Sequence, residues 1–158
     1  MEGSLKTVGV LTSGGDAPGM NACIRAVVRS ALNRGCRVMG IRKGYAGLLK
    51  GDVMEMNATS VANIIHRGGT ILYTARCPEF LEVEYQDRAA EMCRIFGIDG
   101  LVVIGGDGSF RGAQKLSQRG ISVVGVPGTI DLDIVCSDYT IGFDTAVNVV
   151  VEAVSRLR

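Results

Sequence analysis

Residues 101–109 read LVVIGGDGS: four consecutive apolar residues run directly into glycines that surround a single carboxylate, Asp107. A strand that is apolar on consecutive rather than alternate residues is covered on both faces, which is the mark of a parallel sheet. The same pattern recurs at residues 8–11, 38–41 and 123–126. Between these runs, apolar residues fall at helical spacing: Met20, Ile24, Val27, Val28 and Ala31 follow Pro18 and precede Gly35. Ala89, Met92, Cys93 and Phe96 lead to Gly97, Phe110, Ala113 and Leu116 lead to Gly120, and Ala146, Val150, Ala153 and Leu157 form a last group. Glycine past the last periodic residue is the usual helix stop. Strand and helix in alternation predict an α/β fold, a doubly wound and mainly parallel sheet with helices on both faces in three αβα layers. Ligands in such folds bind beyond the carboxyl ends of the strands. Residues 44–69 are the least regular stretch.

Three of the strand ends continue into glycine and small polar residues: Thr12-Ser13-Gly14-Gly15-Asp16 first, Gly105-Gly106-Asp107-Gly108-Ser109 second, and Pro127-Gly128-Thr129-Ile130-Asp131-Leu132-Asp133 third. Glycine lets a backbone turn tightly and approach a ligand without a Cβ in the way, and the N–H groups of a following helix start face phosphate oxygens. One such turn is no more than a tight strand-to-helix connection; three in register at one sheet edge, each carrying an aspartate, predict phosphate and metal binding. There is no GxxxxGK[ST], and GxGxxG is missed because the third glycine falls at Gly112. Phosphoryl transfer needs a carboxylate for Mg²⁺, backbone amides around the phosphates, a cation and a base near the acceptor hydroxyl. Asp107 suits the metal, and its alternative reading is a cap on a helix that begins near Ser109.

Composition narrows the function further. The chain has 158 residues, 47% hydrophobic and 21% charged, with 22 glycines, and its formal charge of +1 gives no bulk field for nucleic acid or an anionic membrane. On length, residues 1–158 are expected to form a single domain. Five cysteines, at 23, 36, 77, 93 and 136, include no CxxC pair, so neither a disulfide framework nor a cysteine zinc site is readable and a reducing cytoplasm fits. The sole histidine, His66, cannot make a multi-histidine metal site. No signal peptide and no apolar run of membrane-spanning length is present. The helical pattern is still running at Arg158 without a stop signal, which reads as a sequence cut short.

Five segments, LTSGGDAPGMNA (11–22), HRGGTILYTARCPEF (66–80), LVVIGGDGS (101–109), GVPGTID (125–131) and DYTIGFDTA (138–146), together resemble the bacterial ATP-dependent 6-phosphofructokinases over essentially the whole chain. The resemblance covers the N-terminal half of a full-length family member. It implies a nucleotide-binding domain that phosphorylates fructose 6-phosphate to fructose 1,6-bisphosphate in glycolysis. ATP would be lined by Gly15, Tyr45, Arg76, Cys77, Gly106, Asp107, Gly108 and Ser109, with Asp107 on Mg²⁺. Asp131 matches the catalytic base and Thr129 a substrate contact. On the bare residues, Asp131 in a polar turn reads more readily as a turn residue. Arg76 agrees with the implied role on physical grounds, because an always-charged fork suits polyphosphate.

Gly108 and Gly128 stand where pyrophosphate-dependent members carry aspartate and lysine, which implies ATP as donor. In the family, arginines matching Arg25, Arg29 and Arg158 bind allosteric ADP or phosphoenolpyruvate at a subunit interface. By spacing alone Arg25 and Arg29 are a solvated helix face, and Ala58 replaces a further basic position of that site. The resemblance also implies a homo-oligomer, a homotetramer at full length. Two departures stand out. Leu132 interrupts the family's TIDND, and the family's other half supplies the arginines that hold the sugar phosphate. A nucleotide-binding half-domain, truncated or engineered, with little or no kinase activity is therefore the alternative reading. NAD kinases and lipid kinases share the GGDG turn but lack HRGGT and PGTID.

Overall fold

A computed structural model of the chain describes residues 5–135 and 137–157. The apolar runs form strands β1 (Thr7–Thr12), β2 (Arg37–Ile41), β4 (Gly100–Gly105) and β5 (Ser122–Pro127), joined by β3 (Val53–Met56), in one sheet ordered β3-β2-β1-β4-β5. β1 pairs in parallel with both β2 and β4, and β4 with β5, while β3 runs antiparallel to β2. The helices are α1 (Met20–Asn33), α2 (Gly44–Lys50), α3 (Val83–Ile95), α4 (Asp107–Ser117) and α5 (Phe143–Ser155), with a 3₁₀ turn at Pro78–Leu81. The mainly parallel α/β sheet is as expected, and Gly35, Gly97 and Gly120 take positive φ just beyond their helices.

β1 lies at the centre, and successive side chains on it point to opposite faces. Val10 joins Met20, Ile24 and Val28 of α1 in one core, whereas Leu11 joins Leu48 of α2, Cys93 of α3 and Leu116 of α4 in the other. Each of these fully buried aliphatic side chains contributes about 1.5–3 kcal/mol. The order of strands reverses between β1 and β4: the chain moves outward from β1 to β2 and β3, then returns to add β4 and β5 on the other side. That reversal opens a crevice beyond the carboxyl ends of β1 and β4, where the two glycine turns leave the sheet.

Two expectations need correction. The run at 123–126 reads as a strand covered on both faces, but β5 is the edge of the sheet and Val124 is 62% exposed. The last helix, α5, forms at the expected place yet buries none of its residues. A third finding is order where the sequence is least regular, since residues 44–69 contain α2 and β3. Among the described residues no helix is long and apolar enough to cross a membrane. Arg158 and Cys136 lie outside the described residues.

Candidate active site

The parallel register brings the strand ends level, with Thr12 beside Ile104 and Gly105 beside Pro127. Backbone bonds then tie the turns together: the Ser13 N–H donates to the Ile104 carbonyl at 3.0 Å and the Gly128 N–H to the Gly105 carbonyl at 3.0 Å. Gly105 is required by this closeness, because a Cβ there would sit 2.5 Å from both the Ser13 carbonyl oxygen and the Ser109 hydroxyl. The third turn is braced from below. Ile141 N–H donates to the Pro127 carbonyl at 2.9 Å, and the Thr140 hydroxyl donates to the Thr129 carbonyl. Within it the Asp131 N–H donates to Thr129 Oγ1 at 3.1 Å, which folds the turn around its own threonine and leaves the Asp131 carboxylate exposed.

These three turns and the segment Thr74–Cys77 enclose a cleft of about 1280 Å³. Its floor is aromatic. The Tyr45 ring stacks on Phe80 with centroids 4.3 Å apart, and the Tyr45 hydroxyl donates to the Ser109 carbonyl at 2.6 Å. Burial pushes the Tyr45 phenol well above its ordinary range, so it remains a donor at any working pH. Gly112 makes room for this ring, since a Cβ there would lie 2.6 Å from it. Tyr45 thereby fixes the first turn of α4, whose N–H groups open on the cleft. Burial is also the largest influence on Cys77, raising its thiol above the ordinary value.

Asp107 is the first residue of α4, with Gly106 at the cap position and no side-chain capping bond. The helix therefore starts two residues before Ser109, and the cap reading of Asp107 gives way to a half-exposed carboxylate on the cleft. It meets Arg111 at 2.9 Å one turn later, a surface pair of the kind that contributes about 0.3–0.5 kcal/mol and leaves the carboxylate open to other partners.

All of Gly15, Tyr45, Arg76, Cys77, Gly106, Asp107, Gly108, Ser109, Thr129 and Asp131 line this one cleft. Arg25 and Arg29 do not; Arg25 donates to the Val61 carbonyl at 2.6 Å and Arg29 faces solvent. Leu132 is 59% exposed and is not among the residues lining the cleft, which Asp131 and Asp133 both line. Sequence reasoning missed Arg111 and Lys115, two further cations on the cleft. Their spacing of four and eight residues from Asp107 puts all three on one helix face, and that periodicity was the available signal.

A family model described as phosphofructokinase matches residues 7–158. The chain belongs to the phosphofructokinase family. It is 63% identical over 154 residues to the ATP-dependent 6-phosphofructokinase of Clostridium acetobutylicum, an alignment that covers 98% of this chain and 48% of that protein. Phosphofructokinase chains of known structure share the fold. The Pichia pastoris enzyme in the T-state superimposes with a TM-score of 0.90 at 39% identity, over 98% of this chain and 18% of that one. The Saccharomyces cerevisiae enzyme gives 0.87 at 37% identity, over 96% and 24%. This phosphofructokinase-family chain thus spans about half the length of the curated relatives it matches, corresponding to their N-terminal half.

Proposed function

We propose that residues 1–158 are a nucleotide-binding domain that supplies the Mg-ATP site and the base of an ATP-dependent 6-phosphofructokinase, the enzyme that transfers the γ-phosphoryl group of ATP to the 1-hydroxyl of fructose 6-phosphate. The observation that carries this reading is the convergence of the GGDGS turn, Arg76 with Cys77, and the PGTID turn on a single cleft. The nucleotide lies along the first turn of α4 and the Thr74–Cys77 wall, its phosphates against the amides of residues 106–109. Arg76, Arg111 and Lys115 supply positive charge where it spreads over the phosphoryl oxygens during transfer. Asp131 takes the proton of the sugar hydroxyl, with Thr129 holding the turn from which it acts.

The residues fit Mg²⁺. Asp107 offers a hard oxygen at a glycine turn and would hold the cation together with phosphate oxygens and water, the usual way Mg²⁺ is bound beside a nucleotide; among the described residues no group of three His, Cys, Asp or Glu is arranged to hold a metal alone. When bound, the ion neutralises charge on the β- and γ-phosphates. Replacing Asp107 with Asn keeps the shape and removes the charge. Calorimetric titration of ATP with and without Mg²⁺ is expected to show at least about a tenfold loss of the metal-dependent part of the affinity. Unchanged Mg²⁺ dependence overturns the assignment.

ATP is read as the donor from glycine at 108 and 128; open space at Gly108, with nothing within 4 Å of a Cβ built there, supports this reading, whereas a Cβ at Gly128 would meet Ile104 at 2.9 Å. Gly108→Asp therefore leaves folding untouched and acts on the ligand alone, by bulk and by negative charge beside the phosphates. A fall in ATP affinity of about tenfold or more at an unchanged melting temperature is expected. Tighter binding of pyrophosphate than of ATP by the parent chain contradicts this.

The setting we assign is the cytoplasm and glycolysis, in a homo-oligomer, with ADP or phosphoenolpyruvate acting as effector through Arg25, Arg29 and Arg158. A second reading, a nucleotide-binding half with little or no turnover, is favoured by one observation. Among the described residues every cation on the cleft, Arg76, Arg111 and Lys115, comes from the proposed donor side, and none comes from the turn at 127–133 where the sugar phosphate would lie.

A further inference from the structure

Residues 57–77 contain no strand or helix, so their backbone N–H and C=O groups must find partners in the rest of the molecule. One side chain meets three of them. Asn21, in the first turn of α1 and 2% exposed, donates from Nδ2 to the carbonyls of Arg67 at 3.1 Å and Gly68 at 3.2 Å, and accepts the Ile71 N–H on Oδ1 at 2.8 Å. Both amide hydrogens and the oxygen are thus committed to a segment 46 to 50 residues away. The orientation of the amide follows from its partners, because two carbonyls require the nitrogen and one N–H requires the oxygen. In the first turn of α1 the side chain makes no capping bond within its own helix, so its hydrogen bonds all serve the distant segment. Burial of a polar group there needs another purpose.

That purpose lies at the far end of the segment. Thr12, fully buried at the end of β1, shares a hydrogen bond with the Thr70 hydroxyl at 2.9 Å and donates to the Tyr73 carbonyl at 3.0 Å. The Lys43 N–H donates to the Leu72 carbonyl at 2.7 Å. Anchored through Tyr73, the chain emerges as the wall of the cleft, and Arg76 follows three residues later. Asn21 itself lies five residues beyond Asp16, whose turn forms the opposite wall.

We propose that Asn21 is a positioning residue for the nucleotide site: from α1 it fixes the 67–71 segment, and through that segment it sets Arg76 against the GGDGS turn. The proposal rests on the nucleotide reading given above. Asn21 is not among the residues lining the cleft and acts through Arg76, so its loss and the loss of Arg76 are one defect counted twice.

A double-mutant cycle on the purified 158-residue chain tests this, read by calorimetric titration with Mg-ATP and by amide hydrogen exchange. Arg76→Ala is expected to weaken Mg-ATP by about tenfold or more, Asn21→Ala by roughly fivefold, and the double variant by no more than about twofold beyond Arg76→Ala alone, the non-additivity of residues that act in series. In Asn21→Ala the Ile71 amide is expected to exchange at least about tenfold faster while the amides of β1 keep their protection. Multiplicative losses, an unchanged ATP affinity, or β1 exchanging as fast as Ile71 each overturn the proposal, the last by making Asn21 a general core residue. Asn21→Ser replaces Asn21→Ala if the latter does not fold, and a chain that folds with neither also overturns it. If the parent chain binds no Mg-ATP, the nucleotide reading falls, and the exchange measurement alone decides whether Asn21 holds the segment.

Discussion

Given Mg-ATP and fructose 6-phosphate, the 158-residue chain is expected to turn over at least about a thousandfold more slowly than a full-length relative, while still binding Mg-ATP. Holding an acceptor hydroxyl in line with the γ-phosphate is worth up to roughly 7–11 kcal/mol, and loss of only about 4 of these is a thousandfold in rate. The proposed donor side of that geometry is well held: α4 is pinned by the Tyr45 hydroxyl, and Asp107 and Arg76 line the same cleft. Among the described residues the proposed acceptor side is sparser. The turn at 127–133 offers Thr129 and Asp131 but no cation for a sugar phosphate, which is bound best by bidentate arginine. Leu132 is expected to make a smaller contribution, because it is exposed and is not among the residues lining the cleft. A coupled assay on purified chain measures this, with Leu132→Asn in parallel and Asp131→Ser to expose contaminating host enzyme. Turnover within tenfold of the full-length relative, abolished by Asp131→Ser, would show that this half holds its own acceptor.

The parts of the fold legible in the sequence are those whose burial is complete within this chain. β1 and β4 announce themselves as unbroken apolar runs because both faces are covered, and the glycines after them mark where backbone must pass close to backbone, as the 2.5 Å constraint at Gly105 demonstrates. β5 and α5 carry the same apolar signal without the same result. The sequence of β5 predicts cover on both faces, and the edge position leaves Val124 open to solvent. The helix α2 was hidden for the opposite reason. Its residues GYAGLLK include two glycines in seven, which propensity reads as a loop, and only packing explains them. At the site, the glycine turns and Asp107 were legible from the residues themselves, whereas Asp131 in its polar turn was singled out by the family resemblance alone, and all of them line the one cleft. Asn21 was not legible, since its three partners lie in a segment with no periodicity of its own.

Gly47→Ala is expected to destabilise the chain by about 3 kcal/mol or more, the opposite of what helix propensity alone predicts. Gly47 sits in the middle of α2, where alanine should favour the helix by about 1 kcal/mol. A Cβ there, however, would overlap the Arg42 carbonyl oxygen and lie 2.7 Å from its carbon. Neither atom is the end of a flexible side chain. Arg42 is held on the next segment by its N–H to the Asp52 carbonyl at 3.0 Å and by its Nε to the Asp52 carboxylate at 2.9 Å. Asp52 in turn donates its N–H to the Gly47 carbonyl at 2.9 Å, closing the ring of contacts on Gly47 itself. Relief must therefore come from moving α2, and α2 carries Leu48, fully buried, with Tyr45 and Leu49 beside it in the same core. Overpacking usually costs about 1–3 kcal/mol, and an obstacle made of anchored backbone belongs at or beyond the top of that range. Urea unfolding followed by circular dichroism measures the loss, and a Gly47→Ala midpoint at or above that of the parent chain refutes it. The same displacement should reach the proposed nucleotide site. Tyr45 precedes Gly47 by two residues and fixes the first turn of α4 through the Ser109 carbonyl, so whatever fraction of Gly47→Ala remains folded is expected to bind Mg-ATP more weakly than the parent.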